Sequence, residues 1–334
     1  MLRKLIVLSL LSLLYINNAQ ALTLKISTLS TDGSSWMNEL RAGASEIEQR
    51  TEGRVKFKFY PGGVMGDDQA VLRKIRFGQL HGATFTNGSL NKHFPDVQIY
   101  NLVLKFRNLD EIDYVREKLD EKIIAGLEQS GLVTFGLSEV GFAYLMSAAP
   151  IHSVDDLRKR KIWTPAGNRV ATAAIEAFGV TPIPLPIRDV MVALQTGMVD
   201  TVAASSVGAI ALQWHTQVKY LIDLPLAYVY GILAVNQKTF TKIEAKDQKI
   251  IREVLGRVNR KLDEINRRDN IAALDALKNQ GIEFIQIRKD EAAQIRGLID
   301  QSNKQMISSG KLSDAMVTHL DRLLEEYRSK MDKP

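Results

Sequence analysis

The stretch VDDLRKRKIWTPAGNRVATAAIEAFGVTPIPLPIRDVMVALQTGMVDTVAASS, residues 154–206, decides the fold of this chain. It opens on a short helix and reaches a strand that ends at Trp163-Thr164-Pro165. A helix stopped by Gly179 follows, then a strand from Pro182 to Leu185, a helix stopped by Gly197, and a strand from Val199 to Ala204. Short apolar runs separated by glycine-stopped helices give two β-α-β crossovers in succession, which predicts parallel strands with ligand-facing loops at their carboxyl ends. Trp163 stands at one such end and is the first candidate for a binding residue.

The same grammar holds upstream. Leu22 to Thr28 alternates as a strand does, and Trp36, Leu40, Ala44 and Ile47 then recur at helical spacing until Gly53. Val55, Phe57 and Phe59 alternate with Lys56, Lys58 and Tyr60 before the Pro61-Gly62-Gly63 turn. Asp67 or Asp68 caps a helix carrying Val71, Leu72 and Ile75, and a strand near Gly82 to Thr86 completes an open parallel sheet. After a helix from Leu109 to Ser130, a strand from Leu132 to Ser138 leads through Gly141, the expected crossing into a second domain. Ile232 to Val235 reads as a strand returning to the first. No proline interrupts Ala245 to Gln280, a helix of roughly 50 Å that is long enough to run along both halves. Two amphipathic helices, near 290–308 and 313–329, finish the chain.

Met1-Leu2-Arg3-Lys4 is basic, Leu5 to Ile16 is an apolar run short for a bilayer, and Ala19-Gln20-Ala21 is a small-x-small site. These are the parts of a cleaved secretory leader, with a periplasmic mature chain that begins near Leu22 and does not span the membrane. The remainder is long for a single core, so two domains are expected. With no cysteine in 334 residues, burial alone must hold them together. A formal net charge of +6, with Arg3 and Lys4 in the leader, reads as a solvated mixed-sign surface and argues against nucleic acid. His81, His93, His152, His215 and His319 are scattered, and no HExxH, GxSxG or phosphate loop occurs. The chain reads as a binding protein, not an enzyme, with neither metal nor cofactor.

Pro150-Ile151, Ser153, Asp155-Asp156-Leu157, Lys161-Ile162, Gly179-Val180, Pro184 and Ala193-Leu194-Gln195-Thr196-Gly197 with Val199-Asp200 resemble the substrate-binding proteins of tripartite ATP-independent periplasmic (TRAP) transporters. Upstream, Thr51-Glu52-Gly53-Arg54-Val55, Gly66-Asp67 and Gly78-Gln79-Leu80 fit the same pattern, so the resemblance covers nearly the whole mature chain. Lys159 departs from it, at a position where the family usually has glycine. The resemblance implies an α/β, two-lobed periplasmic binding protein with an interlobe cleft, hinge strands and a long helix spanning both lobes. The first lobe is expected over 22–140 with about 229–268 and the second over 141–228 with about 269–295. Helices in 296–334 are expected to pack on the lobes. It further implies a small-molecule ligand taken up by lobe closure and two membrane partners, a small four-helix subunit and a large permease.

Members that bind organic acids place an arginine where this chain has Trp163. A second arginine aligns with Ala143 or, one register on, Tyr144, and polar side chains are common where this chain reads Thr201-Val202-Ala203-Ala204-Ser205-Ser206. Burying a carboxylate without such partners costs several kcal/mol, roughly 1.5–3 for each charged hydrogen bond forgone. The expected ligand is therefore small and apolar or aromatic, met by Trp163, Phe142 and Tyr144, with Trp36, Trp214, Asn87, Ala204 and Ser205 as further candidates. Trp36, Trp214 and Phe142 read equally well as core, and Asn87 and Ser205 as turn or cap residues. Two alternatives stand beside this reading. One is an organic acid met by cations such as Arg169 or Arg188; the other is a module that presents its ligand to a sensor or envelope assembly.

Overall fold

The computed structural model describes residues 21–331. The expected leader lies, except for Ala21, outside the described residues. The first lobe is built as its letters suggest. β1 (Leu22–Ser27), α1 (Ser35–Arg50), β2 (Val55–Tyr60), α2 (Asp68–Arg76) and β3 (Gly82–Thr86) follow one another, with β1 parallel to both β2 and β3. Ser34 caps α1 by accepting from the Met37 amide, and Asp67 caps α2 by accepting from the Ala70 amide. Leu40, Ala44 and Ile47 of the stripe read from the sequence are buried in α1, together with Met37, while Trp36 at its start is only partly buried.

α3 (Leu109–Gln129) leads to β4 (Leu132–Thr134) and β5 (Ser138–Ser147), where a single strand from Leu132 to Ser138 was expected. Gly136 breaks it: its φ of +142° leaves the strand region, and a Cβ there would lie 2.8 Å from Asn259 Nδ2. The second lobe then runs α4 (Val154–Arg158), β6 (Trp163–Pro165), α5 (Arg169–Glu176), β7 (Ile183–Leu185), α6 (Val190–Gln195), β8 (Thr201–Ala204), α7 (Ser206–Ala211) and β9 (Tyr220–Ile222). β6 is parallel to β7, and Ile162 bridges in parallel to Thr201, so both crossovers of the opening stretch are present.

The chain returns through β10 (Ala227–Asn236), which lies antiparallel to β3, β4 and β5. α8 (Gln237–Phe240) and the 35-residue α9 (Ala245–Asn279) follow, then β11 (Glu283–Ile285), α10 (Lys289–Ser308) and α11 (Asp314–Met331). β5 joins the lobes, since its first half pairs with β10 and its second with β8 and β9. α9 packs against α1, β5 and α7, and so touches both lobes along its length.

A buried polar network ties α9 to β5 where the strand passes between lobes. The Arg116 guanidinium donates to Asp120 and Asp263 at 3.0 and 2.9 Å and to the Tyr228 hydroxyl at 2.9 Å. Glu139, 1% exposed, accepts from Tyr228 at 3.1 Å and from Arg267 at 2.5 Å. Asn266 and Asn270 donate to the Glu139 and Val140 carbonyls at 2.6 and 2.8 Å. Between them β5 bulges: Glu139 faces Tyr230 while Gly141 faces Val229. Gly141, at φ +107°, permits both the bulge and the close approach of Asn270.

Candidate functional site

A cavity of about 180 Å³ lies between the sheet of the second lobe and α4, α5 and α10. The two-residue period of strands builds its floor. Ala143, Leu145 and Ala203 face it, with Leu145 paired to Ala203, while Tyr144 and Ala204, also paired, go to the opposite face. Ala171 and Ala174, three apart on α5, leave the room that larger side chains would fill, and Phe178, Ile295 and Ile299 close it. Its wall is almost wholly apolar; the polar side chains that reach it are those of Asn101, Ser153 and Asn168.

Asn168 forms one edge of this cavity and also lines a crevice of about 360 Å³ between the lobes. That crevice holds Lys92 from the first lobe, Arg169 from the second, Lys311, and the single acid Glu176. Here the lobes touch. Asn91 donates to the Gly167 carbonyl at 2.6 Å, and Gln98 donates to Asn168 Oδ1 at 3.1 Å. The same Asn168 oxygen caps α5 by accepting from the Ala171 amide at 3.0 Å.

A second crevice, about 60 Å³, sits where the carboxyl ends of β1 and β3 face those of β6 and β7. Leu29, Asp68, Thr86 and Ser89 line one side, and Pro165, Ile187 and Arg188 the other. Burial pushes the Asp68 carboxyl above the ordinary aspartate range, against the hydroxyls of Ser89 and Thr86 that donate to it. Arg188 pairs with Asp189 at 3.5 Å and is half exposed.

The candidate residues fall in three groups. Trp163, 4% exposed, lines the apolar cavity; its indole N–H donates to the Leu185 carbonyl at 2.9 Å, and its ring meets Trp214. Trp214, Tyr144 and Ala204 belong to the apolar cluster around it. Phe142 packs edge to face on Tyr228 in the core of the first lobe, and Trp36 donates to Asn266 on α9. Ser205 caps α7 through the Gly208 amide, and Asn87 begins a short 3-10 turn at the end of β3. Of the alternative cations, Arg169 lines the larger crevice and Arg188 the smaller. Lys92 and Asn168 were not singled out from sequence. A cap-like Asn before an apolar run was the one signal available for Asn168.

Among the described residues no group of His, Cys, Asp or Glu is placed to hold a metal ion, and no helix is long and apolar enough to cross a membrane.

Residues 26–309 match the family described as DctP, bacterial extracellular solute-binding protein, family 7. Among similar curated proteins is the 2,3-diketo-L-gulonate-binding periplasmic protein YiaO of Escherichia coli (strain K12). It is 24% identical over 244 residues, which is 72% of this chain and 73% of that protein. Among solved structures, a TRAP periplasmic solute-binding protein from Desulfovibrio salexigens with bound orotic acid superposes with a TM-score of 0.81. Identity is 19%, and the match covers 92% of this chain and 99% of that one. A TRAP periplasmic solute-binding protein from Haemophilus influenzae with bound L-gulonate gives 0.83 at 18% identity, covering 90% and 99%. At these identities the likeness speaks for the two-lobed fold.

Proposed function

The chain belongs to family 7 of the bacterial extracellular solute-binding proteins, those of TRAP transporters, and from that premise we propose that it captures an organic acid between its lobes. Cations from both lobes, Lys92 and Arg169, border the crevice where Asn91 and Gln98 bridge to Gly167 and Asn168, and this observation carries the reading. A carboxylate between two such cations is favoured only while the lobes are together, so ligand shifts the population toward the closed form. The closed protein then passes its ligand to a small four-helix membrane subunit and a large permease from the periplasmic side.

This revises the ligand expected from the sequence, apolar or aromatic with no cation to meet it. The missing arginines at Trp163 and Ala143 remain missing, but positive charge reaches the cleft from Lys92, Arg169 and Arg188. The names of similar proteins point the same way, since 2,3-diketo-L-gulonate, L-gulonate and orotic acid are all acids. Native mass spectrometry of protein purified from the periplasm without refolding, paired with small-angle scattering before and after ligand removal, tests the proposal. A co-purifying organic acid whose loss opens the lobes is expected. Protein that carries no small molecule, and whose dimensions answer to none of a panel of organic acids, would sink it.

A further inference from the structure

A basic groove runs along α2 beside the interlobe crevice, and we infer that it is a docking surface for an extended acidic segment of a partner polypeptide. This goes beyond ligand capture and stands or falls separately from it.

The groove has a volume of about 420 Å³ and is bordered by α2, the segment after β3, the end of α3 and the start of α8. Arg73, Arg76, Lys92 and Lys238 bring four cations to it from three separate stretches of chain, with His93 beside them. No aspartate or glutamate lines it. The two crevices between the lobes differ, since Glu176 lines one and Asp67 and Asp68 the other. None of the four cations has an ion-pair partner among the described residues, whereas Arg50, Arg54, Arg116 and Arg267 are each paired with carboxylates. Like charges gathered without a counter-charge repel one another, and an acidic partner relieves that repulsion.

Stabilisation of a helix end does not account for the arrangement. Basic side chains in the last turn of α2 favour its dipole whichever way they point, and Lys74 does so outside the groove, donating to the Met65 carbonyl at 2.8 Å. Arg73 and Arg76, three apart, instead share the face on which Gln69 and Leu72 also line the groove. Lys92 and Lys238 converge on the same place from other elements.

Shape and spacing select the partner. From Gln69 to Arg76 the groove follows α2 for roughly 10 Å, which an extended chain of about three or four residues covers at roughly 3.3 Å each. A single carboxylate meets one or two of these cations, whereas a run of carboxylates meets them together. A concave groove also presents its inner charges poorly to a flat layer of lipid headgroups. At the C-cap of α2, Phe77 is 68% exposed, with the Arg76 guanidinium 5.2 Å from its ring centre, and gives the same segment an aromatic contact.

Fluorescence anisotropy with fluorescein-labelled hexaglutamate in low-salt buffer tests this on the mature protein. The expected result is saturable binding that weakens about tenfold or more in a variant carrying Arg73→Gln, Arg76→Gln and Lys238→Gln. Lys92 stays in place because it also borders the ligand crevice. A control carrying Lys289→Gln, Arg296→Gln and Lys304→Gln removes the same charge from exposed positions on α10 and should bind within about twofold of the parent. All six side chains are exposed, so both variants should melt with the parent. Failure of the parent to bind hexaglutamate overturns the inference. Equal weakening in the control also overturns it, because net charge alone then explains the binding. Pelleting with phosphatidylglycerol vesicles that depends on the three groove cations, without binding of hexaglutamate, overturns it in favour of a lipid surface.

Discussion

Trp163 and Trp214 meet edge to face, with ring centroids 5.0 Å apart and planes 77° apart. The contact joins Trp163, the first residue of β6 and not its carboxyl end as the sequence suggested, to the 3-10 turn after α7, and it anchors the apolar cluster behind the cavity. Trp163→Ala is therefore expected to lower stability by about 3–5 kcal/mol. Trp163→Arg should also destabilise, because a guanidinium among these rings has no carboxylate to pair with. Urea denaturation followed by Trp fluorescence checks both; an arginine variant as stable as the parent would show that the side chain escapes to the cleft.

Asn168 performs two tasks with one oxygen, capping α5 and receiving Gln98 from the other lobe. Asn168→Ala should cost about 1–2 kcal/mol for the cap and the lost hydrogen bond together. It should also leave a larger open fraction in scattering of the ligand-free protein. Gln98→Ala, which keeps the cap, should reproduce the second effect without most of the first.

Asp68 gives a pH dependence of definite sign. Its folded pKa is raised above the ordinary value of 3.8 by burial, so the native state binds this proton more tightly than the unfolded chain. Its contribution to stability is most favourable below 3.8 and declines as pH rises through the folded pKa. Asp68→Asn removes that dependence. The variant should melt higher than the parent at pH 7, with the difference shrinking as both are scanned toward pH 4 by calorimetry.

Gly141→Ala tests the passage between lobes. The residue sits at φ +107°, and a Cβ would lie 2.6 Å from Asn270 Nδ2, the atom that donates to the Val140 carbonyl. A loss of about 1–3 kcal/mol is expected from backbone strain, more if Asn270 is displaced. Chemical denaturation measures it, and slower lobe closure in stopped-flow fluorescence should accompany it.

Arg116→Met removes the cation that Asp120 and Asp263 share. Both carboxyls are already pushed above their ordinary range by burial, and Arg116 is the charge that opposes that shift. Stranding them should cost about 3–5 kcal/mol at neutral pH. The loss should diminish in acid, where both are protonated, as paired melts at pH 5 and pH 8 would report.

The order of elements was readable because each was announced locally. Gly179 and Gly197 mark helix ends, Val55, Phe57 and Phe59 keep strand period, and the stripe from Ile251 to Leu262 fixes one face of α9. The interruption at Gly136 was not, because a glycine in an apolar run is equally compatible with continuation; Asn259, more than a hundred residues on, decides it. The site was legible only in part. Trp163 was found through the resemblance, yet the cavity beside it arises from small side chains, Ala143, Ala171, Ala174 and Ala203, that carry no pattern of their own. Empty volume has no letter. Likewise Lys92 and Arg169 lie far apart in sequence and become one electrostatic feature only when the lobes meet.

The polypeptide threads from one half to the other along β5, back along β10, and again along α9. No single cut of the backbone can therefore release either half as a self-sufficient piece; any fragment would carry orphaned strands from both. Any motion of one half against the other would therefore have to bend all three shared elements at once, like the arms of a plaited clasp held by one braid.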